Sequence, residues 1–167
     1  MMHRRRLLAA VSLSIPWAGP ALALDAPRGA VLLSVTGNLR FANADARADF
    51  DLAMIKGLPQ SSYATSTPWF TKPRQFTGPL LRDVLAAAGA KGTALKASAL
   101  NNYQVNIPMD DLQRHDVLLA HLLDGKPMLV REKGPLLIIY PFDRDPNLRN
   151  AVYYSRCAWQ LTGIEVL

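Results

Sequence analysis

Five consecutive apolar residues, Leu136–Tyr140 (LLIIY), lie between Gly134-Pro135 and Pro141. A run this short, closed at both ends by proline, is too brief for a stable helix and reads as a strand buried on both faces. Such a strand needs a layered fold around it. Other strand signals agree. Val31–Thr36 ends at Gly37-Asn38, and Tyr103, Val105 and Ile107 alternate with Gln104 and Asn106. Asp124-Gly125-Lys126-Pro127 is a hairpin turn between Val117–Leu123 and Met128–Arg131. Trp159, Leu161, Ile164 and Val166 read as a last strand with a bulge at Gly163. Helices are few. One short helix is expected over Phe50–Lys56, stopped by Gly57, and a clearer one opens at Thr77-Gly78-Pro79. The latter carries Leu80, Leu81, Val84, Leu85 and Ala88 on one face and ends at Gly89. Residues 60–78 are expected to be a strand followed by a long loop, and Pro108-Met109-Asp110-Asp111 to start a turn or one helical turn. The fold class is α+β, mixed and strand-rich.

Composition narrows the functions open to such a chain. With 167 residues, 50% hydrophobic and 19% charged, the chain has globular composition and the length of one domain. One cysteine excludes an intramolecular disulfide framework. The formal charge of +6 suggests nucleic acid until it is located. Residues 1–23 run from Arg4-Arg5-Arg6 through an apolar stretch to Ala21-Leu22-Ala23, the order of a secretory signal peptide. The arginine pair suits both the general and the twin-arginine route. Without this leader, sixteen basic residues face thirteen acidic ones and the charge falls to +3. The expectation is a single exported domain over 24–167, periplasmic, with no nucleic-acid partner and no membrane insertion of the mature chain.

Chemistry must come from particular side chains. His115 and His121 are six apart, which suits no common metal pair, so His121 is expected to be a hydrogen-bonded sheet histidine. Asp110, Asp111 and Asp116 read as a capping and solvated cluster. Cys157 is either a thiolate ligand or nucleophile, or a small buried hydrophobe, and the second is favoured. The segment from Thr65 to Phe76 places Trp69, Phe70 and Phe76 among Lys72 and Arg74. Aromatic faces beside cations suit a flat heterocycle. Asn101-Asn102 before Tyr103 offers donors and acceptors for the edge of a pterin or purine, or else forms an Asx turn.

The order of motifs resembles the sulfite-oxidase-like molybdopterin-binding domain. Phe76-Thr77-Gly78-Pro79-Leu80-Leu81 and Val84-Leu85 are similar to its helix entry, and Ala99-Leu100-Asn101-Asn102-Tyr103 with Ile107-Pro108 to one of its strands. Val117–Ala120, Asp124–Met128 and Lys133–Leu136 follow in that family's order, and Tyr154-Ser155-Arg156 with Trp159–Leu161 and Ile164–Val166 resembles its closing strand. The family's enzymes carry a molybdenum-ligating cysteine before the helix entry; here the stretch Ala64-Thr65-Ser66-Thr67-Pro68-Trp69 has none. The chain is therefore most similar to small periplasmic pterin-binding members that act with membrane sensors of cyclic-di-GMP turnover. The resemblance implies a reduced, non-molybdenum pterin as ligand, no catalytic residue and no metal, and an inner-membrane sensor's periplasmic domain as partner. It implies that Trp69 stacks on the ring, that Asn101 and Asn102 read its edge with Tyr103 alongside, that Arg74 and Arg156 supply charge or hydrogen bonds, and that Tyr140 closes the wall. The alternative is a molybdopterin-dependent oxidoreductase of the sulfite oxidase type.

Overall fold

The computed structural model describes residues 24–167, so the leader expected over 1–23 lies outside the described residues. Three sheets pack around one apolar core. The largest has the order β2 (Ala48–Asp51), β1 (Val31–Gly37), β11 (Leu161–Val166), β5 (Ala94–Ala99) and β6 (Gln104–Pro108). Only β1 and β11 run parallel; the other neighbours are antiparallel. A second sheet joins β3 (Gln60–Thr65), β4 (Arg74–Pro79), β8 (Leu122–Leu123) and β9 (Lys126–Pro127). The third pairs β7 (Leu118–Ala120) with β10 (Leu137–Ile139). Among the described residues, four short α-helices complete the fold: α1 (Leu52–Gly57), α2 (Leu81–Ala87), α3 (Met109–Arg114) and α4 (Ala151–Arg156). The strand-rich α+β class is as expected.

The LLIIY run is fully buried, from Leu136 to Tyr140. It is also tied on both edges. β7 pairs with it on one side, while Ile138 N–H donates to Ala158 O at 3.0 Å and Leu161 N–H to Leu136 O at 3.1 Å on the other. The run therefore links the small sheet to the start of β11. Burying all its backbone groups demands this double pairing, since an unpaired amide in the core costs about 1–3 kcal/mol. Phe50, Phe76, Phe142, Leu33, Ile55 and Leu118 are among the large side chains that complete the same core.

Several expectations change. The long loop after β3 is short: Arg74–Pro79 is a full strand paired with β3 from Thr65↔Arg74 to Gln60↔Pro79. Gly78-Pro79 accordingly ends a strand, and α2 starts two residues later at Leu81. Gly78 is required by packing, because a Cβ there would collide with Leu119 O on β7. The expected strand over 117–123 divides at His121, its first half entering the small sheet and its second the β8–β9 hairpin. Val130–Glu132 is a 3₁₀ turn rather than strand. Tyr154–Arg156 belongs to α4, not to a closing strand; Asn150 caps that helix by accepting from Val152 N–H at 3.0 Å. Phe50 and Asp51, expected to open the first helix, instead end β2, and α1 starts at Leu52 with Asp51 as its cap; β5 is a strand that the hydrophobic pattern does not assign. The bulge in β11 does occur, between Leu161 and Gly163.

Candidate ligand-binding cleft

A cleft of about 270 Å³ opens where the loop after β3, the β5–β6 turn and the end of α4 converge. Trp69, Asn101, Tyr103, Tyr154, Cys157 and Trp159 line it. Trp69 is held edge-to-face by Trp159, with centroids 4.8 Å apart, and by Tyr154 at 6.1 Å. Such contacts fix an aromatic ring's orientation and contribute about 1 kcal/mol beyond burial. The Tyr103 hydroxyl donates to Ser155 O at 2.6 Å, clamping the β5–β6 turn onto α4. Asn101 Oδ1 accepts from Tyr103 N–H at 3.1 Å, which is the Asx turn. Asn102 is exposed and left-handed, at φ 65°, and does not line the cleft.

Two further expected residues lie behind the cleft rather than in it. Tyr140 is fully buried, and its hydroxyl donates to Asp111 Oδ2 at 2.8 Å. Arg156 Nη1 donates to the same oxygen at 2.7 Å and lies 5.0 Å over the Tyr153 ring. Burial, then the charge of Asp111, pushes the Tyr140 hydroxyl far above its usual range, so it remains a donor. Asp111, expected in a solvated cluster, is thus a buried anchor on α3. Its neighbours behave differently: Asp110 pairs with Arg114, and Asp116 takes both Arg82 and Arg144 at the surface. Arg74 lies elsewhere. It pairs with Asp124 and covers the Phe70 ring at 4.9 Å, in a separate depression.

The exit of β3 is occupied by hydroxyl groups with a defined task. Thr65 Oγ1 accepts from Asp143 N–H at 3.1 Å, while Ser66 N–H and Oγ donate to Asp143 Oδ2 at 2.8 and 3.0 Å. Arg149 Nη2 holds the other carboxylate oxygen at 2.6 Å. Partial burial pushes the Asp143 acid up, but the Ser66 and Arg149 donors outweigh it and hold it below the usual range. Cys157, expected as a buried hydrophobe, is 5% exposed, and its thiol donates to Tyr153 O at 3.6 Å. Burial pushes that thiol up to about 12, only partly offset by a backbone hydrogen bond from Tyr140. The cysteine nevertheless forms part of the cleft wall. His121 is buried with Nε2 2.9 Å from Gln60 Oε1, hydrogen-bonded as expected, but it lies between β7 and β8 rather than within a strand.

The aromatic partners of Trp69 were not legible as a set: Tyr154 depends on α4, and Trp159 reaches the cleft only through its bridge to Leu137. Asp143 and Asp111 carry no local pattern at all.

Residues 43–142 match the oxidoreductase molybdopterin binding domain family, and the chain belongs to that family. The matched span holds Trp69, Asn101 and Tyr103; Tyr154, Cys157 and Trp159 follow it. No curated protein matches the chain. The aromatic cleft with a carboxamide at its edge fits the flat ring of a pterin-type ligand. The donors do not fit a soft metal held by a thiolate. The β3 exit offers hydroxyl oxygens already engaged with Asp143, and the single thiol stands at the end of α4 instead, buried and donating to Tyr153 O. Among the described residues, no group of three or more His, Cys, Asp or Glu side chains is placed to hold a metal ion.

Proposed function

We propose that the protein is an exported, non-catalytic pterin-binding protein of the periplasm, which signals its liganded state to the periplasmic domain of a membrane sensor of cyclic-di-GMP turnover. The observation that carries this reading is an aromatic cleft beside a β3 exit whose Thr65 and Ser66 serve Asp143. Stacking on Trp69 and edge recognition by Asn101 need no metal. The leader over 1–23 supports export, and the charge of +3 that remains speaks against a nucleic-acid role. Titrating the purified protein with a reduced pterin, followed by tryptophan fluorescence, tests the proposal. Saturable binding below about 100 μM, near −5.5 kcal/mol, is expected; no binding in that range sinks it.

One observation favours a second reading, a molybdopterin-dependent oxidoreductase: Cys157 lines the same cleft as Trp69. It requires stoichiometric molybdenum after expression in a cofactor-competent host and loss of that metal in Cys157→Ser.

A further inference from the structure

The charge that remains after the leader is not spread over the surface. A groove of about 580 Å³ is lined by Arg74, Lys126, Arg131 and Lys133, with Phe70, Leu123 and Met128 as its apolar floor. It adjoins a depression of about 390 Å³ that shares Phe70, Arg74 and Asp124 with it and adds Lys72. Together they hold five basic side chains against Asp124 and Glu132, a local +3. Residues 24–167 carry +3 in all, so the remainder of the domain sums to zero. Among the described residues, Lys72, Lys126, Arg131 and Lys133 form no ion pair, and Asp124 is already taken by Arg74.

We propose that this groove receives an acidic, extended segment of a partner protein. Its cations are shared between two adjoining depressions of about 580 and 390 Å³, more space than one small anion would fill. Phe70, Leu123 and Pro127 stand among these cations in the lining, so apolar contacts accompany the charges, and Val130, 50% exposed, precedes the lining residue Arg131 in the chain. A polypeptide with carboxylates and aliphatic side chains matches both features; a nucleic acid would leave the aliphatics unused.

The groove also touches the cleft. Lys133 Nζ lies 3.6 Å over the Trp159 ring, which in turn packs on Trp69. Lys133 adopts φ 73° and Gln160 φ 52°, conformations costing about 1 kcal/mol each for residues with a side chain. They are held together: Gln160 N–H donates to Lys133 O at 3.0 Å, and its side chain to Val130 O at 2.7 Å. Gly134 lets that loop close, since a Cβ there would collide with Met128 O. A partner seated on Lys133 thus rests one residue from the ligand wall. This surface assignment rests on the signalling reading above and gives it a partner chemistry.

Photo-crosslinking in the cells that make the protein tests it, using the full chain. Benzoylphenylalanine is placed at Val130, or at Leu52, which is 38% exposed on α1, as the control. The expected result is a protein adduct at Val130, absent at Leu52, that falls about tenfold in a Lys126→Glu/Arg131→Glu background. That double variant is to keep its thermal midpoint and its affinity for reduced pterin. An adduct unaffected by charge reversal, an adduct to lipid or nucleic acid, or none at Val130 would each overturn the groove assignment. Failure of the wild-type pterin titration instead breaks the reading of the cleft, which keeps the two distinct.

Discussion

Trp69 and Phe70 are adjacent in the chain, yet they serve two different depressions. Trp69 enters a cleft whose nearby cation, Arg156, is neutralised from behind by buried Asp111. Phe70 floors a groove whose cations Lys126, Arg131 and Lys133 have no acidic partner among the described residues. One is an aromatic box with its charge screened; the other is an open charged face with one aromatic floor. The first suits a flat neutral ring and the second a charged partner. Similar residue types at neighbouring positions therefore carry opposite electrostatics, and the difference comes from what lies one layer below.

The largest effect is expected at that lower layer. Asp111→Ala removes the acceptor shared by the Tyr140 hydroxyl and Arg156, leaving both without that partner, with Arg156 only 18% exposed. Breaking a buried pair on one side costs about 3–5 kcal/mol. Urea unfolding should show a loss of that order; a loss like that of a surface ion pair would mean that Asp111 does not anchor the cleft. Asp111→Asn, which retains an acceptor for Tyr140, should recover part of it.

Next in size is the ring site. Trp69→Ala should weaken reduced-pterin binding by about 1–3 kcal/mol, the range for losing one aromatic stacking face, while Phe70→Ala leaves affinity unchanged. Fluorescence can be read from Trp159 in the Trp69 variant. Equal losses in both variants would merge the two depressions into a single site.

His121 sits where the chain leaves the small sheet for the groove-bearing hairpin, its N–H donating to Thr77 O at 3.0 Å. Burial, then nearby Lys56, lowers its pKa from 6.5. The folded state thus disfavours the imidazolium relative to the unfolded chain. The stability this contributes is complete above pH 6.5 and is lost as pH falls through the lower, folded value. Thermal midpoints measured downward from neutral pH should therefore decline, and that part of the slope should vanish in His121→Gln. An unchanged slope in the variant would assign the decline to the carboxylates.

Much of the architecture was legible in the sequence, because strand periodicity and punctuation are local. Leu136–Tyr140, the Asp-Gly hairpin and the β11 bulge all follow from residues within a few positions of one another. β5 escaped because ALKASA alternates small residues whose burial only its partners β11 and β6 create. The site was legible in part. Trp69, Asn101 and Tyr103 converge, but Arg74 and Arg156 could not be placed without their carboxylates, Asp124 and Asp111, which lie 50 and 45 residues away. Long-range charge pairing leaves no local pattern.

The smallest expected effect tests that division most directly. Arg74 was expected at the ring, yet its guanidinium faces Asp124 and Phe70. The Gln75 N–H, at 2.9 Å, and then Arg74 hold the Asp124 acid below its usual range, so the turn keeps its carboxylate anchored even without the arginine. Both partners are over one-third exposed (35% and 44%), and exposed pairs of this kind contribute about 0.2–1 kcal/mol. Arg74→Gln should therefore cost no more than that in urea unfolding and leave reduced-pterin affinity within about twofold, less than the roughly 1.4 kcal/mol that marks a tenfold change. A tenfold loss of affinity would carry the ligand across Trp159 into the groove, and the box and the charged face would then be two ends of one site.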